Sequence, residues 1–223
     1  MKILIVTGSG GLLGSEVVKF HKNKFDLIIG IDNDSRALFF GEEGSVKKNI
    51  EWLESNISNY KHYFIDIQNL KYLEKIFTKY SSDIKLIVHA AAQPSHDYSG
   101  KFPLIDFSIN ALSTINLLEK SRLHCPDVIF INISSSKVYG NPINYLCLDE
   151  YETRFDFSED HIYYNGFNEN LTIDQSIHSP YGVSKLAGDL MTQEYALYYN
   201  MKTGIFRPNC ITGSAHSGVE LHG

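Results

Sequence analysis

Residues 2–14, KILIVTGSGGLLG, decide the reading of the fold. An unbroken apolar run, rich in β-branched residues, stops at a glycine cluster; such a run suits a strand covered on both faces. Behind it, GLLGSEVVKFHKN (11–23) places apolar residues three and four apart, the spacing of a helix with one buried side. Gly8, Gly11 and Gly14 thus occupy a strand-to-helix turn in the order GxxGxxG, a variant of the dinucleotide-binding fingerprint. The first glycine permits a tight turn, the second lets the backbone approach a pyrophosphate, and the third lets helix and strand pack closely. Leu12 and Leu13 share this turn, whose helix amides are donors for phosphate.

Working outward, FDLIIGID (25–32), KHYFIDI (61–67), IKLIVHAAA (84–92), DVIFINISSS (127–136) and KTGIFRP (202–208) read as further strands. NLKYLEKIFTKYS (69–81) and DFSINALSTINLLEKSRLH (106–124) carry helical periodicity, and VKKNIEWLES (46–55) reads as a helix within the less regular stretch 35–58. This alternation predicts an α/β chain: a doubly wound parallel sheet of the Rossmann type, with helices on both faces. Residues 1–208 form the expected dinucleotide-binding domain. Residues 141–176 interrupt it as a polar, aromatic insertion, long enough to serve a site. The Gly- and polar-rich end, 209–223, reads as the start of a substrate-binding lobe that is largely missing.

Composition narrows the function. A net charge of -6 argues against non-specific binding to nucleic acid or anionic lipid. No apolar run has the length of a membrane span, and the first residues lack the pattern of a signal peptide. Three scattered cysteines, Cys125, Cys147 and Cys210, suit a reducing, cytoplasmic setting. The 9 histidines show no ligand spacing, so no metal is expected; His161, His178 and His216 are read as surface or hydrogen-bonded side chains.

Asp32 follows the second strand, where a carboxylate binds the adenosine ribose and repels a 2′-phosphate, favouring NAD over NADP. Asn33 stands beside it, and Arg36 lies near enough to relax that choice. Asp66 and Ile67, ending the third strand, are placed to reach the adenine. Ser134 and Ser135 end the fifth strand, at the carboxyl edge where open α/β sheets carry their sites.

HSPYGVSK (178–185) completes the set. Ser179 is a suitable N-cap and Pro180 a suitable first helical residue, so Tyr181 and Lys185 lie one turn apart on one face. A free phenol has a pKa near 10 and needs roughly 4 kcal/mol of help to act as a base near pH 7. An ammonium about 4 Å away supplies that order of energy at an effective dielectric of about 20.

A glycine turn on the first strand, a serine after the fifth and YxxxK opening the next helix together resemble the extended short-chain dehydrogenase/reductase family, over nearly the whole chain. The resemblance implies Ser135 as catalytic hydroxyl, Tyr181 as base and Lys185 as the residue that holds ribose and lowers the tyrosine pKa. It adds Asn110 as support on the lysine side, Ala90, Ala91 and Ala92 beside the cofactor, and Pro208 in the RP segment. SKVYG, the insertion and HSPYGVSKLAGD narrow it to nucleotide-sugar epimerases, in particular those inverting C2 of a CDP-linked dideoxyhexose. The implied substrate is a CDP- or UDP-sugar, the cofactor NAD, and the assembly a homodimer through helices at 100–124 and 181–199. Ser136 and Lys137 stand where a dehydratase of the family carries an acidic pair. Another epimerase, dehydratase or reductase of the family, or a truncated non-catalytic NAD-binding module, remains as the alternative.

Overall fold

The computed structural model describes residues 1–216 and 218–219. The chain opens with β1 (Ile3–Thr7), α1 (Leu12–His21), β2 (Leu27–Ile31), α2 (Ser35–Phe40), α3 (Lys47–Asn56) and β3 (Tyr60–Tyr63). It continues through α4 (Leu70–Tyr80), β4 (Ile84–His89), α5 (His96–Lys101), α6 (Pro103–Phe107), α7 (Ser113–His124) and β5 (Ile129–Ile133). A small hairpin, β6 (Asp149–Glu150) and β7 (Phe155–Asp156), precedes α8 (Ser179–Tyr199) and β8 (Lys202–Phe206).

Six strands form one parallel sheet in the order β3-β2-β1-β4-β5-β8. β1 is central because all five of its residues are buried. Side chains alternate across a strand, so Ile3 and Ile5 face one core and Leu4 and Val6 the other. The first core gathers Ile29, Ile31, Leu73, Phe77, Leu117 and Phe130; the second gathers Val18, Ile28, Leu53 and Val88. Each such side chain fully buried contributes about 1.5–3 kcal/mol. The sheet order reverses between β1 and β4, and the crevice at their carboxyl ends is where such folds bind ligands.

Three sequence expectations change in detail. The stretch 35–58 is two helices, because Gly41, at φ +82°, ends the first. The segment 106–124 is not one helix either: Ser108–Leu112 form a π-helical turn between α6 and α7. Asn110 sits in that turn and exchanges two hydrogen bonds with the Gln93 backbone, at 2.9 and 3.0 Å, which draws the chain out of α register. The insertion holds only the β6–β7 hairpin and short turns, organised around aromatic contacts such as Phe157 stacked on His161 at 4.5 Å.

Candidate active site

The crevice contains a cavity of about 430 Å³. Its walls include Gly8, Gly11, Leu12, Leu13 and Gly14 from the first turn and Asp32, Asn33 and Arg36 from the second. Asp66, Ile67, Ala90, Ala91 and Ala92 close it above β3 and β4, and Ser134, Ser135, Tyr181, Lys185 and Pro208 line its far end. Asn110 does not line it; this residue is buried one layer behind, where its amide donates to Asp106 at 3.0 Å and to Ser184 at 3.1 Å.

The glycine turn is shaped by close approach. Gly8 has φ +66°, and a Cβ there would stand 2.7 Å from the Ala91 nitrogen; one on Gly14 would strike the Gly8 carbonyl. A Cβ on Gly11 would meet only the Gly8 carbonyl, at 3.3 Å, and otherwise project into the cavity. The cradle therefore fits a phosphate-bearing ligand brought against bare backbone. Asp32 stands at its rim, accepting from the amides of Gly10 at 3.0 Å and Asp34 at 2.9 Å. Burial raises its carboxyl above the ordinary range, against the pull of those two amides. Asp66 is tied into a local turn by the amide of Gln68 at 2.8 Å.

α8 delivers the other half. It starts at Ser179, one residue earlier than the expected first helical residue Pro180, with His178 at the cap position, yet the Ser179 hydroxyl still accepts from the Gly182 amide at 3.2 Å. Tyr181 and Lys185 share the cavity-facing side. The electrostatics differ from the expectation. Burial pushes the Tyr181 phenol upward, the nearby Ser135 side chain pulls it down in part, and the Asp106 carboxylate adds to the rise. Lys185 is buried, its Nζ donates to the Ile133 carbonyl at 2.6 Å, and burial lowers its own pKa to about 8. The Lys185 ammonium in this geometry is turned to a backbone carbonyl rather than to the phenol oxygen.

Four residues of this site escaped the sequence reading. Asp189, on α8, accepts from Ser134 at 2.6 Å, from Gln193 at 2.8 Å and from Arg207 at 2.9 and 2.8 Å. Arg207 also donates to the Tyr139 hydroxyl at 2.9 Å. Burial works against the Asp189 carboxylate, but Arg207, Ser134 and Gln193 hold its pKa below the ordinary value. The RP segment and LAGD motif contained these two residues, with nothing local to pair them. Asp106 is fully buried and its Oδ2 has no partner, while burial raises its pKa. His96 lines the cavity with its ring 4.8 Å from that of Tyr181. Of the other histidines, His216 lines the cavity, His161 lies on Phe157, and His178 bonds within the insertion. Among the described residues no cluster of acidic, histidine and cysteine side chains could hold a metal, and no helix is long and apolar enough to cross a membrane.

A parallel doubly wound sheet, a glycine cradle and the Ser135–Tyr181–Lys185 group facing it define the class. The chain belongs to the nucleotide-sugar epimerases and dehydratases of the extended short-chain dehydrogenase/reductase family. The family profile described as GDP-mannose 4,6 dehydratase matches residues 5–212. CDP-paratose 2-epimerase of Salmonella typhi is 34% identical over 211 residues, covering 94% of this chain and 57% of that protein. UDP-glucuronate 4-epimerase of Thermodesulfobacterium geofontis is 26% identical over 219 residues, covering 96% and 58%. Among solved structures, a mutant UDP-glucuronic acid 4-epimerase of Bacillus cereus, in complex with UDP-4-deoxy-4-fluoro-glucuronic acid and NAD, superposes with TM-score 0.64 at 26% identity, covering 92% of this chain and 55% of that one. The chain spans somewhat more than half the length of these relatives.

Proposed function

We propose that this chain carries the NAD-binding and catalytic part of a nucleotide-sugar epimerase that inverts C2 of a CDP-linked dideoxyhexose through a transient keto sugar. The observation that carries the reading is Ser135, Tyr181 and Lys185 gathered at the far end of a cavity that begins on the glycine cradle. A sugar C–H beside an ordinary hydroxyl is not acidic, so proton removal alone cannot invert the carbon, whereas oxidation and re-reduction can. Gly8, Gly11 and Gly14 bring bare backbone to the pyrophosphate, Asp32 takes the ribose hydroxyls, and Ala90–Ala92 leave room for the rings. NAD held by these residues would supply a hydride acceptor at the sugar carbon and a donor to its opposite face, with a nicotinamide charge that favours the phenolate. Tyr181 takes the sugar hydroxyl proton, Ser135 hydrogen-bonds the same oxygen, and Tyr181 gives the proton back after the ketone has turned. Lys185, a cation below about pH 8, adds a positive charge one helical turn from the phenol.

The CDP-sugar assignment is supported by the 34% identity to CDP-paratose 2-epimerase and by the shared length of the match. A homodimer through the helices at 100–124 and 181–199 belongs to the same reading, supported by apolar side chains those helices leave exposed, including Leu112, Leu123 and Leu197. Tyr181→Phe should abolish turnover while the protein still retains NAD. Copurified NAD and conversion of a panel of CDP- and UDP-sugars are the measurements; undiminished turnover in the variant sinks the assignment, and conversion of UDP-sugars alone sinks the CDP specificity.

A further inference from the structure

The Tyr181 ring is held from a second direction. His96 opens α5, whose start is capped by the Ser95 hydroxyl accepting from the Tyr98 amide at 3.2 Å. The imidazole and phenol centroids are 4.8 Å apart with planes inclined by 49°. The Nδ1 atom of the same imidazole lies 3.2 Å from the Ser179 hydroxyl. Ser179 is a non-glycine residue at φ +64°, a left-handed conformation. Pro180 behind it disfavours the right-handed helical region, and the left-handed one is costly for any residue with a Cβ. Such a residue keeps its shape only where neighbours hold it. Its oxygen accepts from the Gly182 amide and shares a second hydrogen bond with His96 Nδ1, whose direction follows the imidazole tautomer. His96 therefore meets Tyr181 twice: ring against ring, and through the strained residue two positions earlier.

We infer that His96 is a positioning residue for the Tyr181 phenol: bonded to Ser179, it holds the first turn of α8 at the angle that turns Tyr181 into the cavity Ser135 also lines. The inference rests on the reading of Tyr181 as the base. Asp106, Asp97 and Lys137 are the charged groups around this pair, and Ser135 is the nearby side chain that draws the phenol's pKa down. The geometry gives His96 a task distinct from that of Lys185, which is turned toward the Ile133 carbonyl.

Titration of the phenol tests it, followed as tyrosinate absorbance and isolated by subtracting the same protein carrying Tyr181→Phe. In His96→Val both contacts go, the first turn of α8 loosens, Tyr181 draws away from Ser135, and the phenol titration moves up by roughly one unit. For the sugar reaction kcat falls roughly tenfold while KM changes by less than about threefold. His96→Asn, whose amide reaches the place of Nδ1, restores both readouts. Ser179→Ala reproduces the shift, and the double variant with His96→Val adds nothing to it. An unmoved phenol in His96→Val, or additive shifts in the double variant, overturns the inference. A raised KM with an unmoved phenol makes His96 a direct substrate contact and overturns it as well. Turnover that survives Tyr181→Phe defeats the epimerase reading alone, because the link between His96 and the phenol titration does not depend on turnover.

Discussion

His89, fully enclosed at the end of β4, shows how one residue couples the core to the site. Its Nε2 is 3.0 Å from the Thr114 hydroxyl, which donates its own hydrogen to the Asn110 carbonyl at 2.7 Å. The imidazole must then carry its hydrogen on Nε2 and accept on Nδ1 from Thr7, at 2.7 Å. Burial, with Lys185 nearby, lowers its pKa from 6.5 to about 3. The unfolded chain takes up a proton below pH 6.5 that the folded one refuses, so stability is complete above that pH and is lost as pH falls toward 3. At pH 4 the loss amounts to about 3 kcal/mol. His89→Gln removes this titration. Urea unfolding at pH 7 and pH 4 should show a smaller acid loss in the variant, and an unchanged loss would mean that another group controls the acid limb.

At the scale of elements, the Asp189–Arg207 pair joins three pieces that are distant in sequence: the end of β5 through Ser134, the end of β8 through Arg207, and the second turn of α8 beyond Tyr181. Ser135 reaches Tyr181 only if these three keep their relative positions. A bidentate guanidinium–carboxylate pair holds direction as well as distance. Removing one partner strands the other charge in a buried setting, which costs about 3–5 kcal/mol. Asp189→Ala should lose that much in chemical denaturation, whereas Arg122→Ala, which breaks an exposed pair with Glu119, should lose less than about 1 kcal/mol. Equal losses would show that Asp189 is not the joint it is taken to be.

For the molecule as a whole, the crevice runs from the glycine cradle to α8 across the middle of the sheet, so a ligand held there bears on global stability. NAD at about a hundred times its dissociation constant should add about 2.7 kcal/mol, or roughly 5–11 °C in thermal midpoint for a chain of this size. Asp32 faces the same cavity with a carboxylate, so NADP should shift the midpoint less at equal concentration. A thermal scan with both dinucleotides decides this. An equal or larger shift with NADP would assign the dominant role at that end to Arg36.

Much of this was legible in the chain alone, because it depends on short-range chemistry. Strands such as KILIVTG and FDLIIGID are apolar runs whose burial follows from their own composition, and the glycine turn is a local requirement of φ and close approach. Tyr181 and Lys185 share a face because helical periodicity makes them neighbours. What only the tertiary structure decided are the contacts between segments with no periodic relation: the Asp189 joint, His96 against Tyr181, Asn110 behind the cavity rather than in it, and the ammonium of Lys185 turned to Ile133. Each depends on the angle at which two elements pack, and that angle is settled by side-chain fit across the whole core, which no single stretch of residues contains.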